Sequence, residues 1–165
     1  SIQPSNELAQ NILLKLSDIL RYQLYECGDN KVNIEREIEY MNNYIELQRL
    51  RSNQNLEVNV AIDSDVHSIQ IPPLLIAPLI ENSFKHVGKE PNHRNWIAIS
   101  LTKTTTEIHF LIENTFDKMN PKDSEKGIGI ENIKKRLALL YENHTTLEIN
   151  QRENIFSVKM ELPIV

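Results

Sequence analysis

The sequence is poor in cysteine, in basic charge and in long apolar runs. Cys27 is the single cysteine, which excludes an internal disulfide framework and favours a reducing compartment. Eighteen basic against 23 acidic side chains give a formal net charge of −5. Proteins that bind nucleic acids usually carry a basic surplus, so we expect no nucleic-acid partner. No run reaches the roughly 18 apolar residues of a membrane span, so we expect contact with a membrane only through segments upstream of this sequence.

What is present is the composition of a globular protein. The chain is 40% hydrophobic and 25% charged, in the range of folded soluble domains. Its 165 residues suffice for one domain, or for one domain with a helical attachment. The sequence starts at Ser1 rather than at Met, and we therefore expect it to be a portion of a longer protein.

The first third of the chain predicts two amphipathic helices, over residues 5–26 and 33–52. Apolar residues recur at helical spacing in both, and Asn33 is a good N-cap for the second. The stripes comprise Ile12, Leu13, Leu16, Ile19, Leu20 and Leu24 in the first helix and Ile34, Ile38, Met41 and Ile45 in the second. A short polar turn between them predicts a helical hairpin with ordinary core packing, although the first helix could instead pair with another subunit.

The rest of the chain alternates between strand and helix patterns. Alternation predicts a half-buried strand over residues 55–62. The apolar run from Ile71 predicts a helix, with Pro72 and Pro73 suited to its lead-in and first turn, and Pro78 inside it, where proline costs about 3 kcal/mol. Further elements are expected as a strand hairpin over residues 96–102 and 107–113, a polar loop over 115–126, a helix over 127–141 and a strand pair over 146–150 and 155–162.

A polar cluster ends the apolar helix. Glu81, Asn82, Lys85 and His86 fall within six residues. The last three are spaced three and four apart and share one helix face, with Glu81 about 100° away. A carboxylate, a carboxamide, an ammonium and an imidazole at one edge could hold a hydrated Mg²⁺ and the phosphates that it bridges. A solvated polar helix end explains the spacing equally well.

Two further clusters point to an anion site. Gly127 and Gly129 stand at the mouth of a helix, where glycine lets a ligand approach the backbone and unpaired N–H groups attract anions. Asn114 ends a strand, which alone is typical turn chemistry. A lone pair of glycines is weak evidence, and neither a dinucleotide fingerprint nor a P-loop is present.

Taken together, the order and spacing of the three clusters resemble the nucleotide-binding boxes of the GHKL ATPase superfamily. The run from Glu81 to His86 resembles the N box, Asn114 stands where the first G box begins, and Gly127 and Gly129 resemble the second. Further stretches resemble the LytS-like branch of sensor histidine kinases, which is typically paired with LytTR-type response regulators; they are residues 16–22, 37–40, 44–48, 71–75 and 127–141.

The resemblance implies a role for each residue. Asn82 would bind Mg²⁺ through its side-chain oxygen, and Glu81 would act on, or orient, the accepting imidazole. Lys85 and His86 would face the phosphates of ATP, and Gly127 and Gly129 would let the lid and helix N-terminus wrap them. Asn132 and Arg136 are weaker candidates for nucleotide contacts. Glu81, Asn82 and Lys85 form the expected catalytic set, because phosphoryl transfer asks mainly for positioning and charge stabilisation.

The sequence departs from the family pattern at two places. Asn114 replaces the aspartate that accepts a hydrogen bond from the adenine amino group, and no glycine follows it; an amide oxygen still accepts that bond, more weakly. The branch also carries its phosphoaccepting histidine in a His-Phe-x-Phe-Asn segment, which this sequence lacks. We therefore expect a chain that binds ATP and does not autophosphorylate alone.

The resulting expectation is an α/β protein. It would be a two-layer Bergerat-type sandwich of helices over a mixed, mainly antiparallel sheet, with an N-terminal helical hairpin. Residues 1–54 would be the remainder of the dimerisation and phosphotransfer region, and residues 55–165 the ATP-binding catalytic domain. The expected partners are a second copy through the N-terminal helices and a response regulator, with this part in the cytoplasm below an inner-membrane sensor.

Two other functions stay open at this point. The chain could be a nucleotide-poor module that dimerises and docks a response regulator, which the degenerate first G box favours and the preserved N box disfavours. It could also be a serine-directed protein kinase of the same superfamily, which has no need of a dimerisation hairpin.

Overall fold

The computed structural model describes residues 4–25, 28, 30–51, 56–90, 93–117, 128–142 and 144–164. Within these ranges the chain forms helices α1 (Pro4–Tyr25), α2 (Ile34–Arg51), α3 (Ala77–His86) and α4 (Ile128–Tyr141), and strands β1 (Val32–Asn33), β2 (Leu56–Ile62), β3 (Gln70–Ile71), β4 (Asn95–Lys103), β5 (Glu107–Thr115), β6 (Thr146–Arg152) and β7 (Ile155–Pro163). Each element predicted from periodicity is present, with bounds shifted by a few residues.

Five strands form one sheet in the order β2-β4-β5-β7-β6. Strand β2 pairs with β4 in parallel, and the remaining neighbours are antiparallel. The short strands β1 and β3 pair with each other separately. The predicted sandwich with a mixed, mainly antiparallel sheet is confirmed, and so is the hairpin of β4 and β5.

One apolar core lies between the sheet and the helices. The inward residues of β4, β5 and β7 pack against α2, α3 and α4, with Ile34, Ile80, Ile97 and Met160 each 0% exposed. The apolar stripe of α2 therefore belongs to the same core as the sheet. The predicted domain boundary after residue 54 stays a prediction.

Helix α1 packs differently. It lies along α2 and buries Ile19 and Tyr22 against Tyr40 and Ala77 in a separate small cluster. The helical hairpin is confirmed, but core packing of the leucine stripe is wrong within this chain. Leu13 and Leu24 are 64% and 71% exposed, because the face of α1 that contacts α2 is the neighbouring one.

The start of α3 resolves the question raised by its prolines. The helix begins at Ala77, later than Pro72 and Pro73 suggested, so Pro78 falls in its first turn. A proline there removes no helical hydrogen bond, since the first N–H groups have no partner inside the helix. The expected interior penalty does not arise.

Asn33 caps α2 as predicted. Its side-chain oxygen accepts a hydrogen bond from the N–H of Glu35 at 3.0 Å. No helix in the described residues is long and apolar enough to cross a membrane.

Candidate functional site

Helix α3 presents the predicted polar cluster at its C-terminal half. Asn82 is half-buried, and the side chains of Lys85 and His86 are exposed. Between them, Ser83 and Phe84 are buried at 1% and 8% exposure and anchor the helix to the core. Asn82, Lys85 and His86 therefore lie at the exposed edge of α3, on a helix anchored in the core, where a ligand can reach them.

The Glu81 side chain faces the helical hairpin rather than the exposed edge of α3. Its carboxylate accepts hydrogen bonds from the Tyr40 hydroxyl of α2 and from Nε2 of Gln23 in α1, the latter at 3.4 Å. Burial, together with the nearby Glu81 carboxylate, raises the pKa of the Tyr40 phenol well above its usual range. Tyr40 consequently stays neutral, and its hydroxyl donates a hydrogen bond to the Glu81 carboxylate.

Tyr44 extends this aromatic surround. Its ring stacks on Tyr40 at a centroid distance of 6.2 Å and meets Phe84 edge-on at 5.6 Å. Burial raises the pKa of Tyr44 also, with a smaller contribution from Glu81. The Glu81 carboxylate of α3 thus faces α1 and α2, and the phenols of Tyr40 and Tyr44 lie on the α2 side.

Asn114 is the penultimate residue of strand β5, on the sheet side of the site. It is 0% exposed, and its amide nitrogen donates to the Thr115 carbonyl at 2.9 Å. Because that bond needs a donor, the remaining oxygen is fixed as an acceptor. Among the described residues, Asn114 Oδ1 is the one buried side-chain polar atom without a hydrogen-bond partner.

Gly88 holds the end of α3 against the end of β5. Its N–H donates to the Thr115 carbonyl at 2.9 Å. A Cβ added there would lie 2.6 Å from Oδ1 of Asn95 and 2.8 Å from Oδ1 of Asp117, a closer approach than a side chain permits. This fit places Asn114 beside the carboxyl end of the helix that carries Asn82.

The first turns of α4 carry the glycine-rich segment. Gly129 and Asn132 are exposed, and a Cβ on Gly129 would meet no described atom within 4 Å. Contacts with the described residues therefore do not explain a glycine that costs about 1 kcal/mol in a helix relative to alanine. Gly127 lies outside the described residues.

Arg136 points back from α4 toward α3. Its guanidinium donates to the Leu74 carbonyl at 3.2 Å, in the loop that leads into α3. The structure therefore gives Arg136 a backbone partner. The phosphate contact expected for it stays a prediction.

Glu37 is a residue of this region that the sequence analysis did not identify. A glutamate in a helix is typically solvated, yet Glu37 is 0% exposed. Its carboxylate accepts from the Tyr22 hydroxyl and from three backbone N–H groups at the start of α3, those of Leu74, Ile76 and Ala77. One signal was available: Glu37 falls on the same helix face as Ile34 and Met41.

Tyr40 and Gly88 were also missed as contributors. No local pattern signals the role of Tyr40, because its hydrogen bond to Glu81 joins residues 41 positions apart. Gly88 lies two residues after the N box, which was the signal for a tight turn. No group of three or more His, Cys, Asp or Glu suited to a metal ion occurs in the described part of the chain.

Comparison with known proteins shows similarity to sensor histidine kinases. A family model described as "Histidine kinase" matches residues 1–56. LytS of Staphylococcus saprophyticus, a sensor protein, is 27% identical over 174 residues, covering 98% of this chain and 29% of LytS. The sensor histidine kinase YpdA of Escherichia coli is 28% identical over 150 residues, covering 86% of this chain and 26% of YpdA. The chain thus spans less than a third of the length of these relatives.

Solved structures share the fold at low identity. The catalytic domain of histidine kinase ThkA in a nucleotide-free form has a TM-score of 0.59 at 16% identity, covering 81% of this chain and 94% of that one. ThkA in complex with response regulator TrrA has a TM-score of 0.52 at 14% identity, covering 100% and 52%. The fold is that of a histidine kinase catalytic domain, and the resemblance to LytS-like sensor kinases is confirmed.

Proposed function

Because the chain is similar to sensor histidine kinases over nearly its whole length, we propose that it is their ATP-binding catalytic module. It would transfer the γ-phosphoryl group of ATP to a histidine on an upstream helix, for relay to a response regulator. The observation that carries the proposal is the buried Asn114 Oδ1, which has no hydrogen-bond partner among the described residues. A buried unpaired acceptor costs about 1–3 kcal/mol, and it persists where a ligand completes it.

The chemistry of this acceptor suits adenine. The Asn114 nitrogen is committed to the Thr115 carbonyl at 2.9 Å, so only the oxygen is available, and it requires a donor. Adenine offers its exocyclic amino group, whereas guanine presents a carbonyl oxygen at the same ring position. We therefore expect ATP to be preferred over GTP.

The phosphates would lie between α3 and α4. Asn82 would hold Mg²⁺ through its side-chain oxygen, and the ion would neutralise charge on the phosphates that complete its shell. Lys85 and His86 would contact the phosphates from the exposed face of α3. Gly127, Gly129 and Asn132 would line the helix N-terminus opposite, where unpaired N–H groups favour an anion.

Glu81 would serve the accepting histidine. Its carboxylate lies on the hairpin side of α3, where Tyr40 and Gln23 hold it. That side is the one from which an upstream helix of the same bundle would approach. A carboxylate there could orient an imidazole or accept its proton.

The exposed leucines of α1 support a dimeric arrangement. Leu8, Leu13, Leu16, Leu20 and Leu24 are 43–71% exposed, and a contiguous apolar helix face of this kind is a typical interaction surface. We propose that it pairs with α1 of a second copy. A response regulator, of LytTR type, would receive the phosphoryl group in the cytoplasm.

Calorimetric titration of the 165-residue chain with a non-hydrolysable ATP analogue tests the proposal. We expect saturable binding that weakens without Mg²⁺ and in Asn82→Ala, and a preference over the GTP analogue that is lost in Asn114→Ala. Asn59→Ala, on β2, is the matched control. No heat from a folded sample at millimolar nucleotide would refute nucleotide binding and leave the docking module.

A further inference from the structure

Leu74 is held at both of its backbone polar atoms by different helices. Its N–H donates to the Glu37 carboxylate of α2, and its carbonyl accepts from Arg136 of α4 at 3.2 Å. The residue adopts a left-handed conformation, with φ of 55°, which is unfavourable for a side chain such as leucine. Surrounding contacts must therefore hold this residue, and these two charged groups do so by binding the peptide groups on either side of it.

On one side, the Glu37 carboxylate ties α3 to the hairpin. It accepts from the N–H groups of Ile76 and Ala77 at 2.8 and 3.3 Å, where the helix dipole favours a negative charge. It also accepts from the Tyr22 hydroxyl of α1. Because Ala77 and Asn82 belong to one rigid helix, the position of Glu37 sets the position of Asn82.

On the other side, the Arg136 guanidinium ties α4 to the carbonyl of the same residue, Leu74. A charged donor makes a stronger hydrogen bond than a neutral one. Gly129 lies two turns before Arg136, about 10 Å along the helix axis. A displacement at Arg136 is therefore carried to the end of α4 that would face the phosphates.

We propose that Glu37 and Arg136 are positioning residues for the nucleotide site, acting on each other through the backbone of Leu74. The inference rests on the proposed nucleotide-binding function and goes beyond it, since it assigns two residues that need not touch the ligand. Together they set the spacing between α3 and α4. The N-terminal hairpin is connected to the nucleotide site by the same route, through Tyr22.

A double-mutant cycle in nucleotide affinity tests this coupling on the 165-residue chain. Glu37→Gln and Arg136→Met should each weaken binding of the ATP analogue about fivefold, and the double variant should bind no more weakly than the weaker single one. Independent roles would instead multiply, to about 25-fold. Multiplied effects, or an unchanged affinity in both single variants, overturn the proposal.

The exposed ion pair of α2 supplies a matched control. Nη1 of Arg36 and Oε2 of Glu39 lie 2.8 Å apart on the surface. Arg36→Met, Glu39→Gln and their combination should leave the nucleotide affinity unchanged. Arg136→Lys, which keeps a charged donor, should recover most of the lost affinity. Loss of affinity in Arg136→Lys equal to that in Arg136→Met contradicts a role through the Leu74 carbonyl.

Hydrogen exchange gives a readout that needs no nucleotide. In folded Arg136→Met, the amides of Leu74 and Ile76 should exchange about fivefold faster, while those between β5 and β7 should not change. Protection at Leu74 equal to wild type overturns the proposal even if Glu37→Gln fails to fold. If the wild-type chain binds no nucleotide but Arg136→Met still shows faster exchange at Leu74 and Ile76, the proposed function is refuted and the coupling of Glu37 and Arg136 through Leu74 is not.

Discussion

The two N-terminal helices have similar sequence patterns and opposite fates. In α2 the apolar residues are buried in the main core, with Ile34, Met41 and Ile45 at 0–3% exposure. In α1 the leucines at the same kind of spacing point to solvent, and Leu13 and Leu24 are 64% and 71% exposed. Amphipathicity shows that a helix face needs a partner, but it does not identify the partner.

The difference lies in which face of α1 meets α2. Ile19 and Tyr22 are buried at 6% and 5% exposure, and Lys15 forms an ion pair with Glu46 beside them. The leucine stripe lies roughly 100° further round the helix. Helix α1 therefore has two apolar surfaces, one used within the chain and one that its own chain leaves uncovered.

Truncating an apolar side chain should give the largest difference in stability between a change in α2 and one in α1. Ile34→Ala should lower the free energy of unfolding by roughly 4 kcal/mol, because it leaves a cavity in a fully buried site. Leu13→Ala, on α1, should change it by less than about 0.5 kcal/mol, as for other exposed positions. Urea denaturation at low protein concentration measures both. Equal losses would mean that the leucine face is buried within a single chain.

The buried carboxylate of α2 should have the next largest effect. Glu37→Ala removes the acceptor for the N–H groups of Leu74 and Ile76 and for the Tyr22 hydroxyl, and should cost about 3 kcal/mol. Glu39→Ala, two residues along, removes only a surface ion pair and should cost less than about 0.5 kcal/mol. The same denaturation experiment measures both variants. Similar losses of unfolding free energy in Glu37→Ala and Glu39→Ala would contradict a stabilising role for the buried Glu37 carboxylate.

These contrasts show where reasoning from sequence succeeds. The burial of Ile34 and Met41, the cap at Asn33 and the hairpin of β4 and β5 follow from periodicity and local hydrogen bonding. Such signals act within a few residues, where helix and strand geometry fixes which side chains are neighbours. The order of elements was therefore predictable, whereas the sandwich itself was predicted from the family resemblance.

The contacts of the site depend on distant partners. The carboxylate of Glu37 is buried because it meets backbone groups up to 40 residues away, and a glutamate in a helix otherwise indicates a solvated surface. Asn114 was predicted from family resemblance, but its unpaired oxygen becomes visible only in the folded sheet. Arg136 likewise finds the Leu74 carbonyl 62 positions earlier.

The association of α1 is expected to be sensitive to charge on its leucine face. Replacing Leu13 and Leu24 together with glutamate should weaken dimerisation at least tenfold, because each leucine would contribute about 1.5–3 kcal/mol when buried. Leu139→Glu on α4, where Leu139 is 83% exposed, is the control. Sedimentation across a dilution series measures the effect. A wild-type chain that stays monomeric at high concentration would contradict pairing through α1.

The smallest effect is expected where α2 meets Glu81. Tyr40→Phe removes the hydrogen bond donated to the Glu81 carboxylate and the one accepted from Gln23 Nε2 at 2.9 Å, and should cost about 1 kcal/mol at neutral pH. The pKa of Tyr40 is raised in the folded state above its usual 10.0, so the folded chain keeps a proton that the unfolded chain releases. Its contribution to stability is therefore complete below pH 10 and is lost as the pH rises toward the folded-state pKa.

Tyr40→Phe should accordingly flatten the loss of stability above pH 10. Tyr25→Phe, at a residue 78% exposed on α1, should leave the alkaline slope unchanged. Thermal unfolding followed between pH 8 and pH 11 compares the three chains. An identical slope in Tyr40→Phe and wild type would show that the phenol is not held neutral by burial and Glu81, and the contrast between α2 and α1 would then rest on apolar packing alone.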